Sequence, residues 1–317
     1  MSGRIDVHQH LIPPVWREAL DAAGGVGWPM PQWSPAEAVD LMDAHGIATG
    51  VVSVTAPGVV LDPGPGAGPD RAARDLATSV NDYSAALVAD QPDRFGFFAS
   101  LPLPDVDGAL AEAQRAFDDL HADGVVLLSH VEDRYLGHPD YEVLWAELDR
   151  REAVVFVHPA QPSMPMLPGT PAPMADFVFD TTRTALNMVL RGIPRRYPRV
   201  KVILSHGGGF VPYAAHRFAA LAPHQAAGSP RPEDILADLQ WFYFDSAMSA
   251  SPTSLPSLLA FALPGHVLYG SDWPFAPADV GLYFDHFLDT ELPDDIRAQI
   301  DRGAAEQLFP RLAHIQV

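Results

Sequence analysis

Five side chains in this sequence have the types and placement to do chemistry together. They are His8 and His10 in IDVHQH, His158 in FVHP, His206 in LSHGGG and Asp272 in GSDWP. Imidazole nitrogens and a carboxylate oxygen in this mix suit a divalent ion, with Zn²⁺ the first choice and Mn²⁺ or Fe²⁺ also compatible. Residues two apart on a strand face the same side, so His8 and His10 can both turn toward one point. Taken singly, each has a plainer explanation. A His-x-His pair can simply end a strand, His158 before a proline can do the same, and Asp272 can cap the turn that follows it. What makes them a set is that they stand at the ends of four separate apolar runs.

Eight such runs recur along the chain: RIDVH (4–8), GVVSVT (50–55), FGFFASL (95–101), GVVLLS (124–129), AVVFVH (153–158), VKVILSH (200–206), WFYFDS (241–246) and HVLYGSD (266–272). Each is nearly continuous in hydrophobicity rather than alternating, the pattern of parallel strands buried on both faces. Helical stretches separate them. SPAEAVDLMDAHG offers Ser34 as N-cap, Pro35 at the first helical position, Glu37 three residues after the cap and Gly46 as a stop. Further helices are expected at 70–90, 105–124 and 139–151, in TTRTALNMVLRGIPRRY, GFVPYAAHRFAAL and SPTSLPSLLAFAL, and between Ala278 and Phe309. Strand–helix alternation of this length predicts an α/β fold, a (β/α)8 TIM barrel forming a single domain over residues 1–317. A doubly wound open sheet would want a GxGxxG turn after its first strand, and none is present.

The barrel gives the five residues a common address, because all parallel strand ends meet at one mouth. Two connections on that face are long and rich in proline and glycine, 57–70 and 159–177. The second carries Met164, Met166 and Met174 and reads as a pocket cover or subunit contact as readily as a plain loop. Of the remaining histidines, His130 just past strand 4 is placed to border the pocket, and Gln9 should turn away into the barrel wall.

Composition narrows the partners. A formal net charge of −20 opposes nucleic acid and anionic membranes. There is no cysteine, which removes disulfides, thiolate ligands and cysteine nucleophiles and fits a reducing compartment. No apolar run is long enough to span a bilayer, so a cytoplasmic location is expected. Lys201 is the single lysine. It begins strand 6, at the far end of the barrel from the mouth, while strand 4 ends in Leu127, Leu128, Ser129 and His130. A lysine bridging two metals at the end of strand 4 is thereby excluded, and one metal is expected.

IDVHQHLIPP, FVHP, LSHGGG and YGSDWPF together resemble the amidohydrolase superfamily, in its "amidohydrolase 2" group of aminocarboxymuconate-semialdehyde and nonoxidative aromatic acid decarboxylases. The likeness runs from Ile5 to about Pro310. WSPAEAVDLMDAHGIATGVVSVTAPGV, FDTTRTALNMVLRG and FDSAMSASP are most similar to salicylate-type (6-methylsalicylate) decarboxylases. The resemblance implies that His8, His10, His158 and Asp272 hold the metal and that His206 is the acid/base beside it. Gly303-Ala304-Ala305 departs from the Gly-Asn-Ala frequent in the family and bears on C-terminal packing rather than on the site. It further implies that Arg217, eleven residues after His206, meets the substrate carboxylate of a neighbouring subunit in a homodimer or higher homo-oligomer. A surface helix arginine is the plainer alternative. Arg183 is a second candidate carboxylate partner, or else a structural partner of Asp180. Trp273 and Phe275 could wall an aromatic ring.

The expected activity is metal-dependent decarboxylation of a small aromatic or unsaturated carboxylic acid with no organic cofactor. His206 or Asp272 would donate the proton. The same residues could instead hydrolyse a lactone or amide with an activated water.

Overall fold

The computed structural model describes residues 3–25, 29–61, 69–162, 164–165, 168–224 and 230–315. Eight strands form one sheet in sequence order: β1 (Arg4–His10), β2 (Ile47–Ser53), β3 (Phe95–Ser100), β4 (Gly124–Leu128), β5 (Val154–His158), β6 (Lys201–Leu204), β7 (Tyr243–Asp245) and β8 (Val267–Leu268). Every neighbouring pair is parallel. The chain beyond β8 returns to β1 through Val7 N–H to Tyr269 O (3.0 Å), Asp272 N–H to His8 O (2.7 Å) and His10 N–H to Trp273 O (2.8 Å), which closes the ring. The result is the (β/α)8 barrel expected from the alternation of runs.

Burial on both faces explains the continuous hydrophobicity of the strands. Inside the barrel, Ile5, Val51, Phe98, Val126, Phe156, Ile203 and Leu268 form a core plugged from below by Ala304, Ala305, Phe309 and Leu312. Ala304 and Ala305 are fully buried there, so the C-terminal plug packs against the barrel floor through small side chains. A second, larger core lies between the sheet and the surrounding helices.

The helix Pro35–Ala44 has the cap its sequence announces: Ser34 Oγ accepts the Glu37 N–H (3.2 Å) and bonds its carboxylate (2.8 Å). Three features were not anticipated. The helices Pro14–Ala22 and Pro232–Gln240 are additional, and a short antiparallel ribbon pairs His130–Val131 with Arg134–Tyr135. Proline begins the first of these helices and no side chain caps it, so its sequence carries no polar start signal. The 278–309 region is not one helix but Ala278–Glu291 followed by shorter turns through Leu308.

One irregularity sets up the site. Along β1 the partner of Asp6 is Gly50 and that of Gln9 is Val52, so β1 carries one extra residue between them. This is a β-bulge, and it changes which way the strand's side chains face. Ile5 and Val7 point into the barrel core. Strict alternation would then send His8 and His10 outward. The bulge turns both inward, where the His8 ring lies 4.8 Å from that of Phe156. Gln9 faces the wall, with its Oε1 filling the space beside Gly50 where a Cβ would lie only 2.6 Å away.

At the opposite end, the Arg4 guanidinium pairs with Asp285 (3.1 Å), Asp289 and Asp301 (2.9 Å) and lies over the Tyr269 ring. Lys201 starts β6 at that same end, away from the mouth. Among the described residues, no helix is long and apolar enough to cross a membrane.

Candidate metal centre and active site

Four side chains delivered by two strand ends, those of β1 and β5, and the segment after β8 meet at the mouth. One ligand atom each from His8, His10, His158 and Asp272 lies within 4.8 Å of the others, and all four residues are buried. The Nε2 atoms of His8 and His10 are 3.2 Å apart, and each is 3.1 Å from Asp272 Oδ1.

The other ring nitrogens explain this convergence. His8 Nδ1 faces Asp245 Oδ2 at 2.7 Å, His10 Nδ1 faces the Ser53 carbonyl at 3.1 Å, and His158 Nδ1 faces the Pro159 carbonyl at 2.8 Å. All three partners are acceptors, so each Nδ1 carries a proton and each Nε2 is the atom left to face inward as a ligand. Imidazoles held this way through their far nitrogen are the donor set of a metal site. Three such nitrogens and a carboxylate fit one divalent ion.

Electrostatics points the same way. Burial pulls the His8 imidazole down, but Asp245 and Asp272 outweigh it and hold it at about 10. Burial dominates for His10 and His158, which are both lowered, the latter well below the usual histidine range. Asp272 stays well below the ordinary carboxylate range because His8, His10 and His206 overcome its own burial. Of the three imidazoles His8 is thus the one whose surroundings favour positive charge, and a cation held at its Nε2 would take the place of a proton.

His206 stands beside this set, its ring centroid 4.9 Å from that of His8 and 6.0 Å from that of His158. Its Nδ1 faces the Ala247 carbonyl at 3.3 Å, which leaves Nε2 free for proton exchange. Burial pushes its pKa down, so it is neutral near pH 7. His206 and Asp272 both adopt left-handed backbone, with φ of 54° and 60°. Non-glycine residues hold such angles only where the surroundings over-determine them. Here the His206 N–H donates to Asp245 Oδ1 (2.8 Å), and the Asp272 N–H donates to the His8 carbonyl.

Above the ligands opens a cavity of about 720 Å³ that His158, His206 and Asp272 line from below. Phe275, Phe177, Val280 and Phe284 give it an apolar wall, and Pro173 and Met174 of the long 159–177 connection lie at its rim. That connection thus contributes to the pocket; Met166 lies outside the described residues. Thr55, just beyond β2, also lines the cavity.

The remaining candidates are placed differently. Phe275 packs its ring 5.4 Å from His10. Trp273 is half-buried against the outer core and does not line the cavity. Arg183 spreads its guanidinium over Tyr135 and Phe179, outside the lining. Arg217 is exposed on the helix Val211–Leu221, so within one chain it does not reach the cavity. His130 bonds Asp180 (2.9 Å), which also accepts from Tyr135 (2.7 Å) and Ser129, and this network ties strand β4 to the helix Asp176–Leu190 rather than bordering the cavity. Asp245 is the residue sequence reading missed. It ends β7 at the same mouth, and applying the strand-end rule to that strand as well would have found it.

Comparison with known proteins follows this geometry. A family model described as amidohydrolase matches residues 5–311. The chain is 43% identical over 327 aligned positions to the 6-methylsalicylic acid decarboxylase of Penicillium expansum, with 99% of this chain and 98% of that one covered. Among solved structures, an amidohydrolase II superposes with a TM-score of 0.88 at 31% identity, covering 97% of this chain and 99% of the other. A 2,6-dihydroxybenzoate decarboxylase complexed with 2,6-dihydroxybenzoate superposes with a TM-score of 0.78 at 26% identity, covering 98% and 100%.

Proposed function

Since this chain belongs to the amidohydrolase family, we propose that it is a metal-dependent, nonoxidative decarboxylase of a small aromatic acid bearing a hydroxyl beside its carboxylate, a salicylate-type substrate. One observation carries the reading. The apolar cavity has no arginine or lysine among its described lining residues, yet its floor is a buried set of three imidazoles and a carboxylate. Among the described residues of one chain, an aromatic carboxylate entering it has its charge matched at that floor. The likeness to proteins named as decarboxylases of 6-methylsalicylic acid and 2,6-dihydroxybenzoate supports the same substrate class.

His8, His10, His158 and Asp272 would hold one divalent ion, Zn²⁺ by the donor set with Mn²⁺ the alternative. Such an ion supplies an anchor for the carboxylate and adjacent hydroxyl and withdraws charge from them. The chain's own residues do the rest. Phe275 and Phe177 flank the ring and exclude water. His206, neutral through burial and bonded at Nδ1 to Ala247, takes the hydroxyl proton at Nε2. It passes that proton to the ring carbon carrying the carboxylate. The carbon–carbon bond then breaks, its electron pair returns to the ring, and CO₂ leaves. A solvent proton restores the hydroxyl. Asp272, whose carboxylate oxygen converges with the three imidazoles, would serve as ligand, and His206 as the proton donor.

Arg217, exposed on its own chain, would meet substrate only from a second copy, in a homodimer or larger assembly. Arg183 and Trp273 would act as supports behind the wall rather than as contacts. The absence of cysteine fits a cytoplasmic setting.

The test is an assay of metal-loaded enzyme on salicylate, 6-methylsalicylate and 2,6-dihydroxybenzoate for CO₂ release, beside a panel of lactones and amides. Stoichiometric CO₂ and phenol are expected from at least one acid. Lactone or amide hydrolysis with no CO₂ from any acid would overturn the proposal in favour of a hydrolase.

A further inference from the structure

We infer that Asp245 is a positioning residue that sets the metal centre and the acid/base with a single carboxylate. Its two oxygens have separate tasks. Oδ2 faces His8 Nδ1 at 2.7 Å and fixes the tautomer that sends the Nε2 lone pair to the metal position. Oδ1 accepts the backbone N–H of His206 (2.8 Å) and that of Ala247 (3.0 Å).

These two backbone contacts locate His206. Its residue is held at a φ of 54°, and its ring nitrogen bonds the carbonyl of Ala247. Asp245 therefore grips His206 directly through its main chain and indirectly through the residue that orients its ring. The carboxylate is fully buried, and its neighbour Gly270 is packed so closely that a Cβ there would meet Asp245 Cβ at 3.2 Å. It has no room to swing, so a displacement of either histidine is transmitted to the other. β7 thus contributes no ligand and no proton donor, yet it sets the spacing between the two groups the reaction needs.

The inference rests on the metal reading of the site and is tested by metal affinity, measured by titrating metal-free protein with Mn²⁺ and with Zn²⁺ in a calorimeter. Asp245→Asn keeps an oxygen for the two backbone donors but turns an N–H₂ toward His8 Nδ1. That forces His8 into the opposite tautomer, with a proton on Nε2. Loss of such a partner weakens metal binding by roughly 10–100-fold. Asp245→Ala removes both grips and should add a fall in kcat at saturating metal beyond that of the Asn variant. Circular dichroism and melting curves check that each variant is folded, and a purely structural role would lower melting without moving the metal affinity of the folded fraction. A folded Asp245→Asn protein with wild-type metal affinity would overturn the inference while leaving the metal reading intact. Wild-type protein that bound neither ion would overturn both.

Discussion

The two ends of β1 lie within one seven-residue strand and solve opposite problems. At the base, Arg4 is buried among Asp285, Asp289 and Asp301, so one cation is answered by three carboxylates already in the chain. At the mouth, His8 and His10 face His158 and Asp272 across a few ångströms, and their ligand atoms converge with no arginine or lysine among the described residues that line the cavity above them. The base is electrostatically complete, and its charges are held where they cost least, paired and hydrogen-bonded. The mouth is incomplete by design, since a site for a cation must leave donors aimed at one another. Barrels divide labour in this way, with stability at the amino ends of the strands and chemistry at their carboxyl ends.

The largest expected effect comes from breaking the mouth. Asp272→Ala removes the one anionic ligand, and the loss of metal assistance, worth several kcal/mol, should lower decarboxylation by roughly a thousand-fold or more. Elemental analysis should find the metal lost with it. The metal-free variant should also melt somewhat below metal-free wild type, because His8 and His10 lose their contact with the carboxylate and alanine must hold the left-handed backbone of residue 272. A variant that kept its metal and its rate would erase the distinction between the two ends.

Breaking the base should do the reverse. Arg4→Met leaves Asp285 buried without its cation, and opening such a cluster costs about 3 kcal/mol, the lower end of the range because Asp289 is half exposed. Chemical denaturation should register that loss. The folded protein should bind metal and turn over substrate as wild type does. A large fall in kcat with unchanged stability would show that the base participates in the chemistry.

What could be read in advance follows from the same contrast. The mouth was legible because its residues are ligand types standing at the ends of recognisable apolar runs, so topology alone brought His8, His10, His158, His206 and Asp272 together. The base was not. Arg4 in isolation is one of many arginines, and its partners come from helices and turns after residue 284, whose path no local pattern specifies. The bulge in β1 was equally hidden, for it contains neither glycine nor proline and is imposed by pairing with β2. Asp245 had the right residue type and the right strand end, but it touches the metal position only through His8. Trp273 and Arg183 had suggestive neighbours in sequence, and it is side-chain direction, which sequence does not give, that keeps them out of the cavity lining.

Asp6 lies between the two ends and offers the finest test of their separation. Its carboxylate accepts the His8 N–H (3.0 Å), the Ser271 N–H (3.0 Å), the Ser271 hydroxyl (2.6 Å) and the Gln9 amide (3.3 Å). The first of these belongs to the residue that the bulge turns inward, and the next two belong to the segment that carries Asp272. Asp6 thus braces the bulge and the β8–β1 junction together, and four donors leave no place for a fifth. Asp6→Asn would point an N–H₂ at one of them. A buried donor set against a donor costs about 1–2 kcal/mol of stability. Because the strain falls where His8 and Asp272 are positioned, the same variant should also bind metal more weakly than wild type. Asp6→Asn is therefore expected to weaken both readouts in part, where Arg4→Met moves stability alone and Asp272→Ala removes the metal and the rate with it. Stability lost with metal affinity unchanged would assign Asp6 to the base and shift the boundary between the two regions up the strand, to the bulge itself.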